Sequence, residues 1–495
     1  MRKSAASLLV LIFLTASCLI KPLPAKAESR TIVVPYDYPT ISSAIDNAAD
    51  GDTIFVRKGT YDGPINQTLV INKTIALIGE DASSTKIVLH PAWITEWIFA
   101  TLLSYYAPAM QISANDVKLG GFTILNDGWN IQISGDRVQV MGNIITTHLM
   151  MSGSYPIFAF NTLTDSFYPN GTVKFYGYVD FYGDYGIVAA NTLVNGSINA
   201  FGSYNSIFGN TGSGSIGVGT VGDPNPNLIY GNTLRNSGGI GIASMGTIVA
   251  NNTVSGSIGG AIGVGWGLNN IICFNTITNS GGGLFETGDA RENLFYANYV
   301  ANSLWGAKIV GLQSNTTLFH NNFVNNVQQV NCDANETVIT LPNFTRPLTH
   351  RGYFDNGSEG NYWSDYSGVD ANGDGIGDTP YVIDANRTDH YPLMTAFDVS
   401  SVTIQLPKWA NVTLPSPLQP PSSPSFPPAS SPSPSPTPSP TPSPTPSPSP
   451  SPSPTATPPD TEPKPFSTAL VATVFGVSLV VIGIGLLVYF KKRKH

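Results

Sequence analysis

Short apolar segments separated by polar turns recur through the middle of the chain at a near-constant spacing. An asparagine marks each unit, at Asn143, Asn161, Asn191, Asn210, Asn232, Asn252, Asn275, Asn298 and Asn322, at intervals of 18 to 30 residues. The residue three before each asparagine is apolar, from Val140 and Phe158 through Val249 to Phe319. The residue two after it is also apolar, with Gly212 the one exception. Two short apolar strands meeting at a fixed asparagine, repeated about every 22 residues, predict a solenoid whose units bury a core only by stacking.

The residue types decide which solenoid. A leucine-rich repeat of similar period needs leucine at set positions and often a helical segment. Here the apolar positions are β-branched or aromatic, which suits strands, and Gly and Asn punctuate them, which suits bends. Asparagine tolerates a left-handed backbone, and stacked asparagine side chains hydrogen-bond as a ladder. The expected fold is therefore all-β, a right-handed parallel β-helix rising about 4.8 Å per coil. An exposed end coil would pair with another chain, so the stack needs caps. Residues 38–49, around Pro39-Thr40-Ile41-Ser42, read as a short amphipathic helix at the N-terminal end, ahead of strands at 53–57, 69–71, 75–78 and 86–89.

Outside the repeat the pattern changes twice. Arg2 and Lys3, an apolar run and Ala25-Lys26-Ala27 predict a signal peptide over 1–27, with acylation at Cys18 the alternative. Residues 466–490 are an uncharged apolar run followed by Lys491-Lys492-Arg493-Lys494, which predicts one membrane span with a cytoplasmic tail at 491–495. Between them, Pro-Ser and Pro-Thr repeats up to Pro465 cannot bury enough surface to fold and read as an extended stalk. The remaining boundaries are a cap with first coils at 28–92, coils with insertions at 93–345, a closing coil and cap at 346–398, and linker plus stalk at 399–465. Eleven Asn-x-Ser/Thr sequons between Asn66 and Asn411 fit a glycosylated surface protein.

Composition narrows the function. Lys and Arg number 24 against 32 Asp and Glu, a net charge of −8, and charged residues are 11% of the chain. That excludes a basic nucleic-acid binder and a charged coiled coil; three cysteines exclude a disulfide scaffold.

Two stretches carry a family resemblance. The opening, from Val34-Pro35-Tyr36 to Gly59-Thr60-Tyr61, resembles the start of pectin-lyase-like β-helix proteins. The closing stretch, Gly360-Asn361-Tyr362-Trp363-Ser364-Asp365-Tyr366 with Asp389-His390-Tyr391-Pro392, resembles the ending of the NosD-like β-helix family. The resemblance spans roughly residues 31 to 396. It implies a parallel β-helix at a cell surface, and either an accessory role in copper-enzyme maturation or sugar binding or cleavage.

Four places hold candidate chemistry. Asp370, Asn372, Asp374, Ile376 and Asp378 follow the alternating oxygen-ligand pattern of a calcium loop, with Tyr381 where a bidentate Glu would stand and Asp384 a possible replacement. Tyr176, Tyr178, Tyr182 and Tyr185, in the long interval after Asn161, together with Trp93 and Trp97, offer aromatic faces for sugar rings. Glu286, Asp289, Arg291 and Glu292 are the candidate acid–base set of a polysaccharide lyase or hydrolase. His148, Met150, Met151 and Met141 are the one local set of soft ligands for copper, with Cys273 and Cys332 in different coils. The reading that follows is a membrane-anchored extracellular module that binds carbohydrate or a surface glycoprotein without catalysis. Polysaccharide cleavage and copper handling are the alternatives.

Overall fold

The structure is a computed structural model. It describes residues 29–421 apart from 99–100, 127–129, 168–172, 176, 220–225, 311–314, 332–337, 342–343, 348–351, 386 and 415, and it leaves the side chains of 96–106, 166–176 and 332–351 undescribed. The chain divides into two compact units, Met1–Pro424 and Ser425–His495, and every described residue belongs to the first. Among the described residues no helix is long and apolar enough to cross a membrane. The expected signal peptide, the membrane span and nearly all of the stalk lie outside them.

Three parallel sheets of 13, 13 and 12 strands run the length of the repeat, and each coil contributes one short strand to each in turn. This is a parallel β-helix. A strand of three or four residues presents alternate side chains to opposite faces, so each coil sends one or two per strand inward. In the third sheet Ile131, Leu149, Val179, Ile198, Ile216, Ile240 and Ile262 stack in register at inward positions, each buried. Burying such a side chain contributes roughly 1.5–3 kcal/mol, which offsets the entropy of ordering the coil.

The corner between the first and second sheets carries the asparagine ladder. Each backbone N–H donates to the side-chain oxygen of the asparagine one coil on, from Asn143 to Asn161 at 3.0 Å through Asn275 to Asn298 at 3.1 Å. Each side-chain amide donates to carbonyls of its own or the previous coil, as Asn252 does to Ile229 and Ala250. The left-handed residue is not the ladder asparagine but the one before it: Phe160, Ala190, Asn251, Phe274, Ala297 and His320 have φ of 52 to 59°. The asparagine is free to point inward because its neighbour makes the bend.

One rung corrects the sequence reading. The ladder passes through Asn321, not Asn322: Asn298 N donates to Asn321 Oδ1 at 3.0 Å, and Asn321 N to Asn361 Oδ1 at 3.1 Å. With a side-chain period of two, a one-residue slip would turn Leu318 and Phe323, both fully buried, outward. Adjacent asparagines hid that register. Two further ladders occupy the other corners. Asn205, Asn227, Thr247, Asn270, Asn293 and Thr316 link the third sheet to the first. Ser257, Ser280, Ser303 and Asn326 link the second to the third.

The cap helix is Ile41–Asn47, shorter than expected. Thr40 and Ser43 form a reciprocal capping box, and Lys73 Nζ donates to the carbonyls of Ile45, Asp46 and Ala48, fixing both ends. At the other end the indole of Trp363 lies between the rings of Phe323 and Tyr381, 4.7 and 4.6 Å away. The buried Asp389 takes the place of the next rung, accepting from Asn361 N at 2.7 Å and Trp363 Nε1 at 2.8 Å.

Past this cap the chain turns back as a strap across the outer face of the first sheet. The side chain of Asn322 latches its start, accepting from Phe397 N at 2.7 Å and donating to Phe397 O at 2.9 Å. The Phe397 ring stacks on His320 at 4.0 Å. Val402, Ile404 and Leu406 alternate with exposed Ser401, Thr403 and Gln405. Leu406 to Val412 then lie against Phe208, Leu228 and Tyr230, and Leu418 reaches Gly120 in an early coil. Residues 406–412, read from the sequence as linker, thus lie against the coils, as does Leu418.

Candidate functional site

Two of the three outer faces differ sharply. The first sheet turns apolar side chains outward in its middle coils, and where the strap crosses them Leu228, at an outward position, is only 2% exposed. The third sheet has no such cover among the described residues, and its outward positions change character along the stack. The column Asp180, Asn199, Gly217, Gly241, Gly263, Phe285 runs through six successive coils. Its middle is a trough of about 440 Å³ floored by glycine, with Phe201 and Phe285 among its walls.

The glycines of that floor are not required by the backbone. A Cβ at Gly241 would meet no atom within 4 Å, one at Gly217 only the side chain of Asn199 at 3.0 Å, and one at Gly263 the Phe285 ring at 3.4 Å. None of the three has a positive φ. Gly281 and Gly283 contrast with them, since a Cβ there would lie 2.1 and 2.0 Å from a backbone oxygen. Glycine inside a strand costs roughly 0.5–1 kcal/mol relative to a residue with a side chain. Three in a column, without steric need, leave a smooth floor at the expense of stability.

The head of the trough is polar. Asp180 Oδ2 lies 3.0 Å from His148 Nε2, and Asp180 Oδ1 accepts from Asn199 Nδ2 at 2.8 Å. Tyr178 stacks on the imidazole of His148 at 4.0 Å. Burial, and secondly the Asp180 carboxylate, raises the Tyr178 hydroxyl above the ordinary tyrosine range. Ser197 and Ser215 hydroxyls pair at 2.8 Å alongside. Each of these groups is uncharged or already paired.

The aromatic candidates are dispersed rather than convergent. The interval after Asn161 does project an antiparallel hairpin, Ser166–Phe167 with Val173–Phe175, and a second, Trp93–Ile98 with Thr101–Tyr106, leaves the coil at the same corner. Trp93 is 58% exposed on that second hairpin. Tyr176 and the side chain of Trp97 lie outside the described residues. Tyr182 stacks on Phe201 at 5.0 Å, beside the trough. Tyr185 is sandwiched between Tyr155 and Tyr204, at 5.1 and 4.9 Å, with Trp409 of the strap edge-on to Tyr204. Both faces of Tyr185 are taken by these stacks.

The carboxylate set does not converge. Glu286 points into the coil, fully buried, and accepts from Asn293 Nδ2 at 3.0 Å and from the Thr316 hydroxyl. Asp289 and Arg291 are half-buried at the following corner, where exposed Glu292 takes a φ of 56°. The soft ligands are split: strand alternation turns His148 and Met150 outward and Met151 inward, while Met141 is buried on a strand of the first sheet. Cys273 is buried, and desolvation pushes its thiol up to about 12; Cys332 lies outside the described residues. In the candidate calcium loop, Asp370 accepts from the N–H groups of Gly373, Asp374 and Gly375, Asp374 from Ile376, and Asp378 from Ala371. Among the described residues no group of three or more His, Cys, Asp or Glu side chains is placed to hold a metal.

Stacked coils, corner ladders and an open glycine face define a parallel β-helix protein. Within it, residues 187–368 match the profile of the family described as periplasmic copper-binding protein (NosD), and the coils are NosD-like. Among curated proteins none matches the chain. Solved structures resemble it in fold alone. One is the A-module of a mannuronan C-5 epimerase of Azotobacter vinelandii, at 15% identity over 59% of this chain and 89% of that one, TM-score 0.38. Another is a PL6-family polysaccharide lyase of Pseudopedobacter saltans, at 14% identity over 66% and 94%, TM-score 0.36. A PL6-family alginate lyase matches at 12% identity over 78% and 60%, TM-score 0.38.

Proposed function

We propose that the protein is an extracellular, membrane-anchored module that binds a polysaccharide chain along the outer face of its third sheet, without cleaving it. The observation that supports this best is the floor of Gly217, Gly241 and Gly263, kept free of side chains where the backbone does not demand it. An extended polymer needs a long, shallow, unobstructed surface with aromatic and hydrogen-bonding groups at its margins. Phe201, Phe285 and Asn199 supply those margins. The signal-peptide and membrane-span patterns at the two ends of the chain support the location. Titrating the full chain with a panel of oligosaccharides by calorimetry tests the reading: binding that Gly241→Trp abolishes supports it, and binding that survives Gly241→Trp removes the trough from consideration.

A second reading keeps the same face but adds cleavage, favoured by the hydrogen-bonded His148–Asp180 pair beside Tyr178. New reducing or unsaturated sugar ends, lost in His148→Ala, would establish it. For the loop at 370–378 we propose structural calcium binding. Added calcium then raises the unfolding temperature, and Asp370→Ala abolishes that rise.

A further inference from the structure

We infer that the chain bound in the third-face trough is an uncharged glycan, not a uronate or sulfated polymer; this rests on the trough being a glycan site at all. Among the described residues lining the trough none carries a charge, and the cation nearest along its column, Lys308, stands one coil beyond Phe285. At its head the one carboxylate, Asp180, is held by His148 and Asn199. The chain as a whole is acidic, with a net charge of −8, so its long-range field repels a polyanion.

A uronate polymer carries a carboxylate on each sugar. Laid along this floor it would bring several anions against glycine and aromatic rings, and an anion taken out of water without a partner costs several kcal/mol. Polyanion sites meet that cost with Arg, Lys or bound cations, which form charge-assisted hydrogen bonds. The trough offers instead groups matched to hydroxyls. Asn199, having donated to Asp180, keeps its amide oxygen 3.0 Å from where a Gly217 side chain would begin. The Ser197–Ser215 hydroxyl pair lies alongside, and the rings of Phe201 and Phe285 face the C–H surfaces of sugars. The chemistry also bears on catalysis: elimination from a uronate starts by withdrawing the proton next to a carboxylate whose charge must be neutralised, and no lining residue can do that.

The test titrates the full chain with neutral gluco- and manno-oligosaccharides, and separately with oligogalacturonate and oligomannuronate, each at low and high salt. The expected result is binding of a neutral oligomer, changed less than about twofold by salt because no ion pair forms. Gly241→Val, which fills the floor without adding charge, should weaken it at least tenfold. If the uronates bind more tightly than every neutral oligomer, and lose affinity with salt, this inference is overturned while the glycan reading stands. If no oligosaccharide of either class binds, both fall.

Discussion

The first and third faces of the coil are built from the same strand geometry and meet opposite fates. Outward positions of the first sheet hold Ile157, Ile187, Leu228 and Ile248, and the chain lays its own strap against Leu228 and beside Ile157 and Ile187. Outward positions of the third sheet hold Asn199, Gly217, Gly241 and Gly263, and stay uncovered among the described residues. The contrast teaches that stability and recognition are separated on this scaffold. One face is finished as core by burial of apolar surface, and the other gives up side chains to stay accessible.

The sharpest way to break the contrast is to place the same charge on each face. Leu228→Asp puts a carboxylate beneath the strap at a site 2% exposed and should cost about 3 kcal/mol or more. Gly241→Asp, on the open face, should change stability by less than about 1 kcal/mol. Thermal unfolding of the two variants compares them directly, and equal losses would refute the distinction.

Next in size is a pH effect that touches neither face. Burial, the largest cause, raises the Asp389 carboxyl to about 6 from its ordinary 3.8, against the pull of its N–H donors. Its folded pKa lies above the unfolded one, so its contribution is complete below pH 3.8 and is lost as pH rises toward 6. The C-terminal end of the ladder should therefore loosen over that window, by an amount on the order of 3 kcal/mol. Hydrogen exchange at the Trp363 coil reads this, and Asp389→Asn should flatten the profile.

Asn322→Ala removes both hydrogen bonds that latch the strap at Phe397. It should cost about 1–2 kcal/mol and admit protease between residues 398 and 406, with glycan affinity unchanged. A parallel loss of glycan binding would show the faces to be coupled. The smallest effect is the most diagnostic. Gly241→Val should raise stability by roughly 0.5–1 kcal/mol while blocking the trough, since only function opposes a side chain there.

Much of this was readable beforehand, and the failures are specific. The asparagine spacing led to the coil because each ladder residue performs one local task, and local tasks leave periodic traces. The residues five and six before the ladder asparagine also recur, each over part of the stack. Asn205, Asn227, Asn270 and Asn293 form the second ladder, and Tyr155, Tyr185 and Tyr204 the ring stack. Neither column registers until the coils are aligned on the ladder asparagine. The Ile-Gly-Ile and Ile-Gly-Val runs at 216–218, 240–242 and 262–264 held the floor in plain view. Glycine between strands serves as a bend, so residue type alone does not separate these in-strand glycines from those at the corners.

What the sequence determined by itself is the coil: strand length, inward alternation and corner residues are settled within one repeat and its nearest neighbour. Only the tertiary structure decided which outward residues see solvent. Glu286 reads like a surface acid and is core, because its strand position faces inward. Leu228 sits outward and is buried, because a segment more than 170 residues later lies across it. Burial depends on what else arrives at a surface, and that information lies far away in the chain.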